Sequence, residues 1–399
     1  MNLDQLLHAV DHSSVIRYTL RLATSSADGL VCPPTYAASK NKKDDSPYID
    51  FRKAYVDGVI KDVVVLDSPQ SQSNRVETAL LAAHRAGRVA YPDIEIRFPS
   101  QSAEPVYSVL QLSHRIFDSV LRACTLAGVP FFATDVGRAL LASRAECAEP
   151  LFRHAPVALV LGAWDSYGGA GPLAAKLPRL LTSEIVGLDA SPADLSATKF
   201  DPMDIRSNVA ELVPATGATR RFEIKAAGAK AGKDKSKKPS EFGFGSVPVT
   251  AKPRAAVISA ALQTSVLSCS GLRTLSFPDS NGATSAPRDQ AGRAALAALA
   301  LYGLVVQNES GYRLRSRCEL LPEDDGRFDL IGRTLAQKET LSLNVDSAAA
   351  LLAQACKHAA SHGLSFRDHV LELEADDRLQ ELVRRSREAA AQGDTELEA

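Results

Sequence analysis

Alternating and continuous runs of apolar residues predict β-strands in the first 70 residues of the chain. Between Ser14 and Leu22 every second residue is apolar, so one face of a strand would be buried while Arg17 and Arg21 lie on an open, cationic face. The run Val63–Leu66 is uninterrupted and mostly β-branched, which is typical of a central strand that is buried on both faces.

Helical and strand patterns alternate along the rest of the chain. A helix is predicted after the buried strand, and either Ser68 and Pro69 or the spacing from Asn74 to Glu77 would start it. Further helices are predicted at His114–Leu126, Gln290–Val306, Ala348–His362 and Asp376–Ala391. Further strands are predicted at Val157–Leu161, Leu180–Leu188 and Arg220–Lys225. This order of elements predicts an α+β fold of the RRM or ferredoxin-like kind.

Charge is distributed unevenly along the chain, although the whole is nearly neutral. The 399 residues carry 46 Lys+Arg and 47 Asp+Glu, which gives a net charge of −1. Residues 220–254 have a net charge of +7 and include a low-complexity loop, 226–240, which contains Lys233 and Lys235 and is predicted to be mobile. Residues 367–399 have a net charge of −5. We therefore expect a polyanion-binding surface on one part of the chain and an acidic region on another.

The sequence contains no pattern of catalytic or cofactor-binding residues. The six cysteines are scattered, and there is no P-loop, no dinucleotide-binding glycine motif, no HExxH and no GxSxG. We expect no cofactor, no bound metal and no enzymatic activity. The N-terminus does not resemble a signal peptide, and the longest apolar runs are shorter than the roughly 20 residues that span a bilayer. A cytoplasmic protein without a membrane partner is therefore expected.

Three polar constellations point to a bound polyanion. The first consists of Ser71, Gln72, Asn74 and Arg75, which follow the buried strand where a helix is predicted to start. Free backbone N–H groups at a helix start attract anions, and short polar side chains with an arginine would clamp a phosphate. Simple helix capping is the alternative explanation of these residues.

The second constellation is a glycine-rich loop over residues 162–185. Trp164 stands at the start of this loop, and Lys176 and Arg179 stand near its end. Glycines would let the backbone approach a ligand, the indole would stack on a base, and the two cations would follow a phosphate backbone. The alternative is a surface loop beside a buried tryptophan.

The third constellation is a predicted hairpin strand, Tyr312–Cys318. Arg313, Arg315 and Arg317 alternate along it and would share one face. A solvated edge strand is the alternative. Together with residues 220–254, the chain thus has four cationic features that one polyanion would bind.

These blocks of sequence resemble those of a known family. DSPQSQSNRVE at 67–77, GAWDSYGGAGPLAAKLPR and SEIVG within 162–187, and LRSRCEL at 314–320 are similar to signature blocks of the Cas-seven-type (Csb-one) backbone subunit of type I-G CRISPR systems, formerly type I-U. The resemblance implies a RAMP-superfamily protein with an RRM-like palm and inserted finger and thumb segments. We assign the palm and its insertions to residues 1–343, and a helical, acidic C-terminal region to residues 344–399.

The resemblance also implies a function without catalysis. Members of this family polymerise as a filament along a CRISPR RNA, form the Cascade surveillance complex and present the spacer to target DNA. Ser71, Gln72, Asn74 and Arg75 would hold the guide backbone, together with Lys176 and Arg179. The other partners implied are Cas-five-type, Cas-six-type and large subunits of Cascade, and a recruited helicase–nuclease that cleaves the target.

Two other functions are compatible with the sequence. A metal-dependent RNase that trims the guide would use Asp67, Asp165 or Asp201 as its acids. A DNA-binding regulator would use the helix Gln290–Val306 and the arginine hairpin as a winged helix. The chain offers no second helix placed to read a groove, which is unfavourable for the regulator.

Overall fold

The computed structural model describes residues 1–37, 48–99, 105–165, 176–195, 200–206, 209–214, 222–225, 237–245 and 253–392. The α-helices within these ranges are α1 Leu3–His12, α2 Pro69–Arg85, α3 Asp135–Leu141, α4 Glu149–His154, α5 Pro156–Leu161, α6 Cys269–Leu272, α7 Ala286–Glu309, α8 Val345–Ser361 and α9 Asp377–Gln392.

The strands lie before, between and after these helices. In the first half of the chain they are β1 Val15–Thr24, β2 Leu30–Val31, β3 Phe51–Val56, β4 Val59–Asp67, β5 Ile94–Arg97, β6 Tyr107–Ser108, β7 Cys124–Leu126, β8 Val129–Pro130, β9 Ala163–Trp164, β10 Lys176–Leu177, β11 Leu181–Leu188 and β12 Ser191–Asp194. In the second half they are β13 Leu212–Pro214, β14 Phe222–Ile224, β15 Pro253–Val257, β16 Ala260–Ser268, β17 Tyr312–Arg315, β18 Cys318–Pro322, β19 Arg327–Ile331, β20 Lys338–Leu341 and β21 Leu371–Ala375.

The centre of the fold is a sheet that has nine strands within the described residues. Its order is β17-β18-β1-β16-β11-β4-β3, and β19 also pairs with β1 and carries β20 on its outer edge. Neighbouring strands in this sheet run antiparallel, as shown by the pairing of Tyr18 in β1 with Ser265 in β16 and Phe328 in β19. Helices and this sheet together confirm the predicted α+β class.

Helices cover one face of the main sheet. The buried residues of β1, among them Ile16, Tyr18 and Leu20, point to that face, while the alternating residues point away from it. Helix α7 is apolar on every side and is buried along most of its length. It packs so closely on α2 that a Cβ atom on Gly303 would lie 2.9 Å from Cγ1 of Val76. The core therefore lies between the main sheet and these two helices.

A second sheet joins the C-terminal region to an early part of the chain. Its order is β6-β5-β21-β7-β8, and β21 runs parallel to β5. The predicted C-terminal helices correspond to α8 and α9, but the strand Leu371–Ala375 between them was not predicted. The division of the chain at residue 344 stays a prediction.

Three local predictions differ from the structure. The N-terminal residues form helix α1, because Asn2 and Gln5 cap it reciprocally and Leu6, Ala9 and Val10 form a buried stripe. The segment predicted as the strand Val157–Leu161 is helix α5, whose residues are all buried, so no periodicity reveals its type.

The predicted helix His114–Leu126 is also absent. This segment forms two 3-10 turns, Arg115–Phe117 and Ser119–Ala123, followed by β7. Arg115 has φ of 53°, which a continuous α-helix does not allow, and Asp118 caps the second turn through Val120. Helix α7 and strands β1 and β11 lie where they were predicted.

None of the helices in the described ranges is both long enough and apolar enough to cross a membrane.

Gly326 provides a test of packing at the edge of the main sheet. Its φ is 71°, and a Cβ atom there would collide with the ring of Tyr18. Gly282 has φ of 77° but no atom within 4 Å of the corresponding position. We expect Gly282→Ala to lower the free energy of unfolding by about 1–2 kcal/mol through backbone strain alone. Gly326→Ala should lower the free energy of unfolding by about 1–3 kcal/mol more than Gly282→Ala, because its Cβ atom overpacks the ring of Tyr18. Urea unfolding measures both values, and equal losses in the two variants would contradict the close contact of Gly326 with Tyr18.

Candidate nucleic-acid interface

The first candidate site is organised around the carboxylate of Asp67. This residue ends β4, and its side chain is fully buried, with 0% exposed. Its Oδ1 accepts a hydrogen bond from Oγ of Ser71 at 2.7 Å, and its Oδ2 accepts from Nε2 of Gln72 at 2.6 Å and from Nε of Arg75 at 2.9 Å. A carboxylate removed from water needs such partners, because its charge is otherwise too costly to bury. Three residues of the first constellation are therefore bound to Asp67.

These residues lie within α2 rather than before it. Ser68 is the N-cap and Pro69 is the first helical residue, so the earlier of the two predicted starts is confirmed. The N–H of Gln72 donates to the carbonyl of Ser68 at 2.9 Å, and Oγ of Ser68 accepts from the N–H of Ser71. The expected free backbone N–H groups are therefore already used inside the protein at these two positions.

Gln72 extends the Asp67 cluster into the interface between the sheet and the helices. Its side chain is 0% exposed. The carbonyl Oε1 accepts hydrogen bonds from Oγ of Ser183 at 2.9 Å, Nε2 of Gln263 at 3.1 Å and Nε2 of Gln307 at 3.0 Å. Tyr312 then donates its hydroxyl to Oε1 of Gln263 at 2.7 Å. This network joins α2, β11, β16, α7 and β17, and the side chain of Gln72 is out of reach of a bound polymer.

Two arginines attach the hairpin of β17 and β18 to the same point. Nη2 of Arg75 donates to the carbonyl of Leu314 at 2.8 Å, and Nη1 of Arg315 donates to the carbonyl of Leu66 at 2.8 Å. Nη2 of Arg315 also lies 3.6 Å from Oδ1 of Asp67. Both side chains are part-buried, with 30% of Arg75 and 27% of Arg315 exposed. These contacts hold the hairpin against α2 and the end of β4.

The predicted strand Tyr312–Cys318 ends at Arg315, so it does not carry all three arginines. Arg313 and Arg315 alternate with the buried residues Tyr312 and Leu314, and Arg315 is the one that reaches Asp67. Arg317 lies in the turn with φ of 56°, where its carbonyl accepts a hydrogen bond from the N–H of Cys32 at 2.9 Å.

A groove of about 330 Å³ opens beside α2 and the start of β17. The polar residues that line it are Ser71, Asn74, Arg75, Thr78, Gln307, Ser310 and Arg313. Of these, Asn74, Thr78, Ser310 and Arg313 are exposed and Arg75 is part-buried. An anion in this groove would therefore meet two cations, Arg313 and Arg75, and the amide of Asn74.

A second groove, of about 450 Å³, brings the ends of the glycine-rich loop together. Trp164 in β9 pairs with Lys176 in β10, and Arg179 follows two residues after that strand. Trp164 is 59% exposed, so it is not a core residue. The structure brings the aromatic ring and the two cations to one groove, and residues 166–175 between them lie outside the described part of the chain.

Arg115 is a cation of the second groove that sequence reasoning missed. Its Nε lies 2.5 Å from Oε1 of Glu77, its Nη2 lies 3.0 Å from Oε2 of the same carboxylate, and its Nη1 donates to the carbonyl of Gly162 at 3.1 Å. No local pattern marks this residue, because its contacts are 38 and 47 residues away along the chain.

Glu77 is a buried carboxylate that faces two arginines. Burial raises the pKa of Glu77, while hydrogen bonds and charge from Arg115 act to lower it. Burial lowers the pKa of the Arg179 guanidinium, and the nearby charge of Arg115 lowers it further. One carboxylate thus partly neutralises two guanidinium groups, and with Lys176 the groove keeps a surplus of positive charge.

The other basic residues predicted to bind RNA, Lys233 and Lys235, lie outside the described residues, as does most of the segment 220–254.

The acids of the RNase hypothesis are each bound to groups of the protein. Oδ1 of Asp165 lies 2.7 Å from Nη2 of Arg122, and the two carboxylate oxygens of Asp201 accept the N–H groups of Met203 and Ile205. Asp67 is held as described above. Within the described residues, no group of three or more His, Cys, Asp or Glu side chains is arranged to hold a metal ion.

Comparisons with known proteins match part of this chain to a sequence family. Residues 19–192 match the family model described as CRISPR-associated protein GSU0053. No curated protein matches the chain. Among solved structures, the crystal structure of Csc2 from Thermofilum pendens aligns with 97% of this chain and 80% of that chain, at 9% identity and a TM-score of 0.27.

The matched region contains the whole lining of the second groove and only part of the first. It includes the second half of β1, the whole of α2, the Arg115 turn and the paired strands β9 and β10, whereas the end of α7 and the hairpin of β17 and β18 lie beyond it. Residues 19–192, somewhat under half of the chain, are therefore similar to a CRISPR-associated family, which confirms the predicted resemblance to a Cas-seven-type RAMP subunit.

Proposed function

We propose that this chain is a CRISPR RNA-binding backbone subunit of a type I-G Cascade complex. The observation that carries the proposal is the cationic groove lined by Arg115, Trp164, Lys176 and Arg179, which lies within the region that matches a CRISPR-associated family. Asn74, Arg313 and the edge of Arg75 would contact the guide in the first groove. Lys176 and Arg179 would contact its phosphates in the second, and Trp164 would stack on a base.

The strand order supports an RRM-like palm. Four antiparallel strands lie side by side in the order β19-β1-β16-β11. If they are numbered one to four along the chain, this order is 4-1-3-2. Helix α7 connects the third of these strands towards the fourth. This is the antiparallel arrangement of a ferredoxin-like unit. Strands β3 and β4 extend it as an insertion, and residues 344–399 would form a separate acidic region.

The subunit would act in an assembly rather than alone. Copies would polymerise along the guide, with Cas-five-type, Cas-six-type and large subunits at other positions of Cascade. Pairing of the guide would recognise target DNA, and a recruited helicase–nuclease would cleave it for antiviral defence. Because the cations would bind phosphates, guide binding should depend on salt and not on spacer sequence.

Lys176 tests the second groove. Lys176→Gln should weaken binding of a CRISPR RNA by about 1.5–3 kcal/mol, if the contact is charge-assisted. It should also reduce the slope of log affinity against log salt by about 0.7, which corresponds to one lost phosphate. Fluorescence anisotropy at several salt concentrations measures both values. Lys53→Gln is the matched control, because Lys53 forms an exposed ion pair with Asp62 on the β3–β4 hairpin. Equal behaviour of the two variants would exclude the groove as the guide site.

Asn74 and Gln72 separate a binding role from a structural one. Asn74→Ala removes an exposed side chain, so we expect unchanged stability and a loss of about 0.5–1.5 kcal/mol in RNA binding. Gln72→Ala leaves Ser183, Gln263 and Gln307 without their shared acceptor, so we expect a loss of about 1–3 kcal/mol in the free energy of unfolding. Urea unfolding and RNA titration of both variants check these values. A stable Gln72→Ala protein with weak RNA binding would reverse the two assignments.

The absence of catalysis is testable directly. We expect a CRISPR repeat RNA to remain intact after incubation with the purified chain and Mg²⁺, because the three candidate acids are occupied by protein donors. Gel analysis of the RNA measures this. Cleavage that Asp165→Asn abolishes would instead support the guide-trimming RNase.

A further inference from the structure

The face of the main sheet opposite the helices also carries a cationic cluster. In β1, Arg17 and Thr19 alternate with the buried residues Ile16 and Tyr18, so they point away from α2 and α7. Register places Arg17 beside Asp329 of β19, and Asp329 beside Thr340 of β20. Arg17, Asp329 and Thr340 therefore form a polar row across three strands, on the other side of the sheet from the Gln72 network.

Asp329 holds this cluster together. Its carboxylate is 0% exposed and accepts hydrogen bonds from Nη2 of Arg17 at 2.9 Å and from Oγ1 of Thr340 at 2.8 Å. Two more cations approach the same carboxylate. Nε of Arg327 lies 3.9 Å from Oδ2, and Nζ of Lys338 lies 4.0 Å from Oδ1.

The cluster has more positive charge than one carboxylate neutralises. Burial acts to raise the pKa of Asp329, but hydrogen bonds from Arg17 and Thr340 and the charge of Lys338 hold it below its ordinary value. Asp329 is therefore ionised at neutral pH and balances one of the three cations. The other two charges face solvent, because Arg327 is 58% and Lys338 is 42% exposed.

The neighbouring residues on this face are threonines, an aliphatic side chain and a carboxylate that is already paired. Thr19 pairs with Thr264 of β16, and Arg17 pairs with Val266 of the same strand. On β11, Thr182 lies beside Val266, and Glu184 lies beside Thr264 and forms an ion pair with Arg52. Nε of Arg17 is shielded from solvent and has no acceptor among the described residues. The residues that β1, β16 and β19 direct to this face include no aromatic side chain. Such a surface offers cations and hydroxyls to phosphate oxygens and nothing on which a base would stack.

We propose that this open sheet face, centred on Arg17, Arg327 and Lys338, binds the phosphodiester backbone of a single-stranded nucleic acid. It is a site distinct from both grooves, and the sheet itself separates it from α2 and the first groove. A strand held there is therefore a different strand, or a different stretch of strand, from the one in those grooves. The proposal stands on the Asp329 cluster and does not require that the grooves bind a guide.

Hydrogen exchange with a defined probe tests this site. The probe is a single-stranded oligodeoxythymidine of about 20 nucleotides, longer than a typical single-domain site. Bound to the full chain, it should slow amide exchange in peptides that cover residues 327–341. The double variant Arg327→Gln and Lys338→Gln should lose that protection. It leaves the contact of Arg17 with Asp329 in place, so the fold is retained.

A matched control changes the same charge elsewhere. The double variant Lys53→Gln and Lys61→Gln removes two lysines that pair with Asp62 and Asp189 on the β3–β4 hairpin and its neighbouring turn. It should keep the protection of residues 327–341. The Arg327 and Lys338 variant should also reduce the salt slope of oligonucleotide binding by about 1.4, which corresponds to two phosphates.

Three results would overturn the proposal. One is the absence of protection at residues 327–341 with saturating probe, and another is protection that survives in the Arg327 and Lys338 variant. The third is protection by polyglutamate but not by the oligonucleotide, which would identify an acidic protein as the partner. If the Lys176→Gln variant loses protection only at residues 176–180 and keeps it at residues 327–341, the loss belongs to the second groove. That result supports a separate site on the sheet face.

Discussion

Burial of the Asp67 carboxylate is the constraint on which this structure depends. Its charge cannot remain in the interior without partners, so Gln72 and Arg75 come from α2 and Arg315 comes from a hairpin far along the chain. Removing one partner from a buried ion pair typically costs about 3–5 kcal/mol, since the other charge is left alone. The junction of strand, helix and hairpin is thereby fixed, and the first groove takes its shape from it.

Helix α2 connects that constraint to the second groove. Its first turns carry Gln72 and Arg75, and one turn further along Glu77 holds Arg115 beside the carbonyl of Gly162. A single rigid element therefore positions the polar network of the core, the exposed Asn74 and the cations near Trp164. Most polar side chains of α2 are bound to other groups of the protein. Only a few, on the exposed side of the helix, remain available to a ligand.

Local signals account for what was predicted well. The alternation in β1, the apolar length of α7 and the cap at Ser68 depend on residues close together in the chain, so they can be recognised without the fold. Sequence patterns do not identify the type of an element that is buried on all sides, as in α5. They also do not predict a backbone angle that depends on a distant partner, as for Arg115.

The sequence by itself determined the α+β class, the main elements and the family resemblance, including the residue types that suit a polyanion. Only the tertiary structure decided which of those residues are available. Gln72 and Arg315 became internal because Asp67 is buried, Trp164 became exposed, and Arg17, Arg327 and Lys338 met on one face through strand register. The physical reason is that charge compensation and strand pairing act between residues hundreds of positions apart, which no local pattern contains.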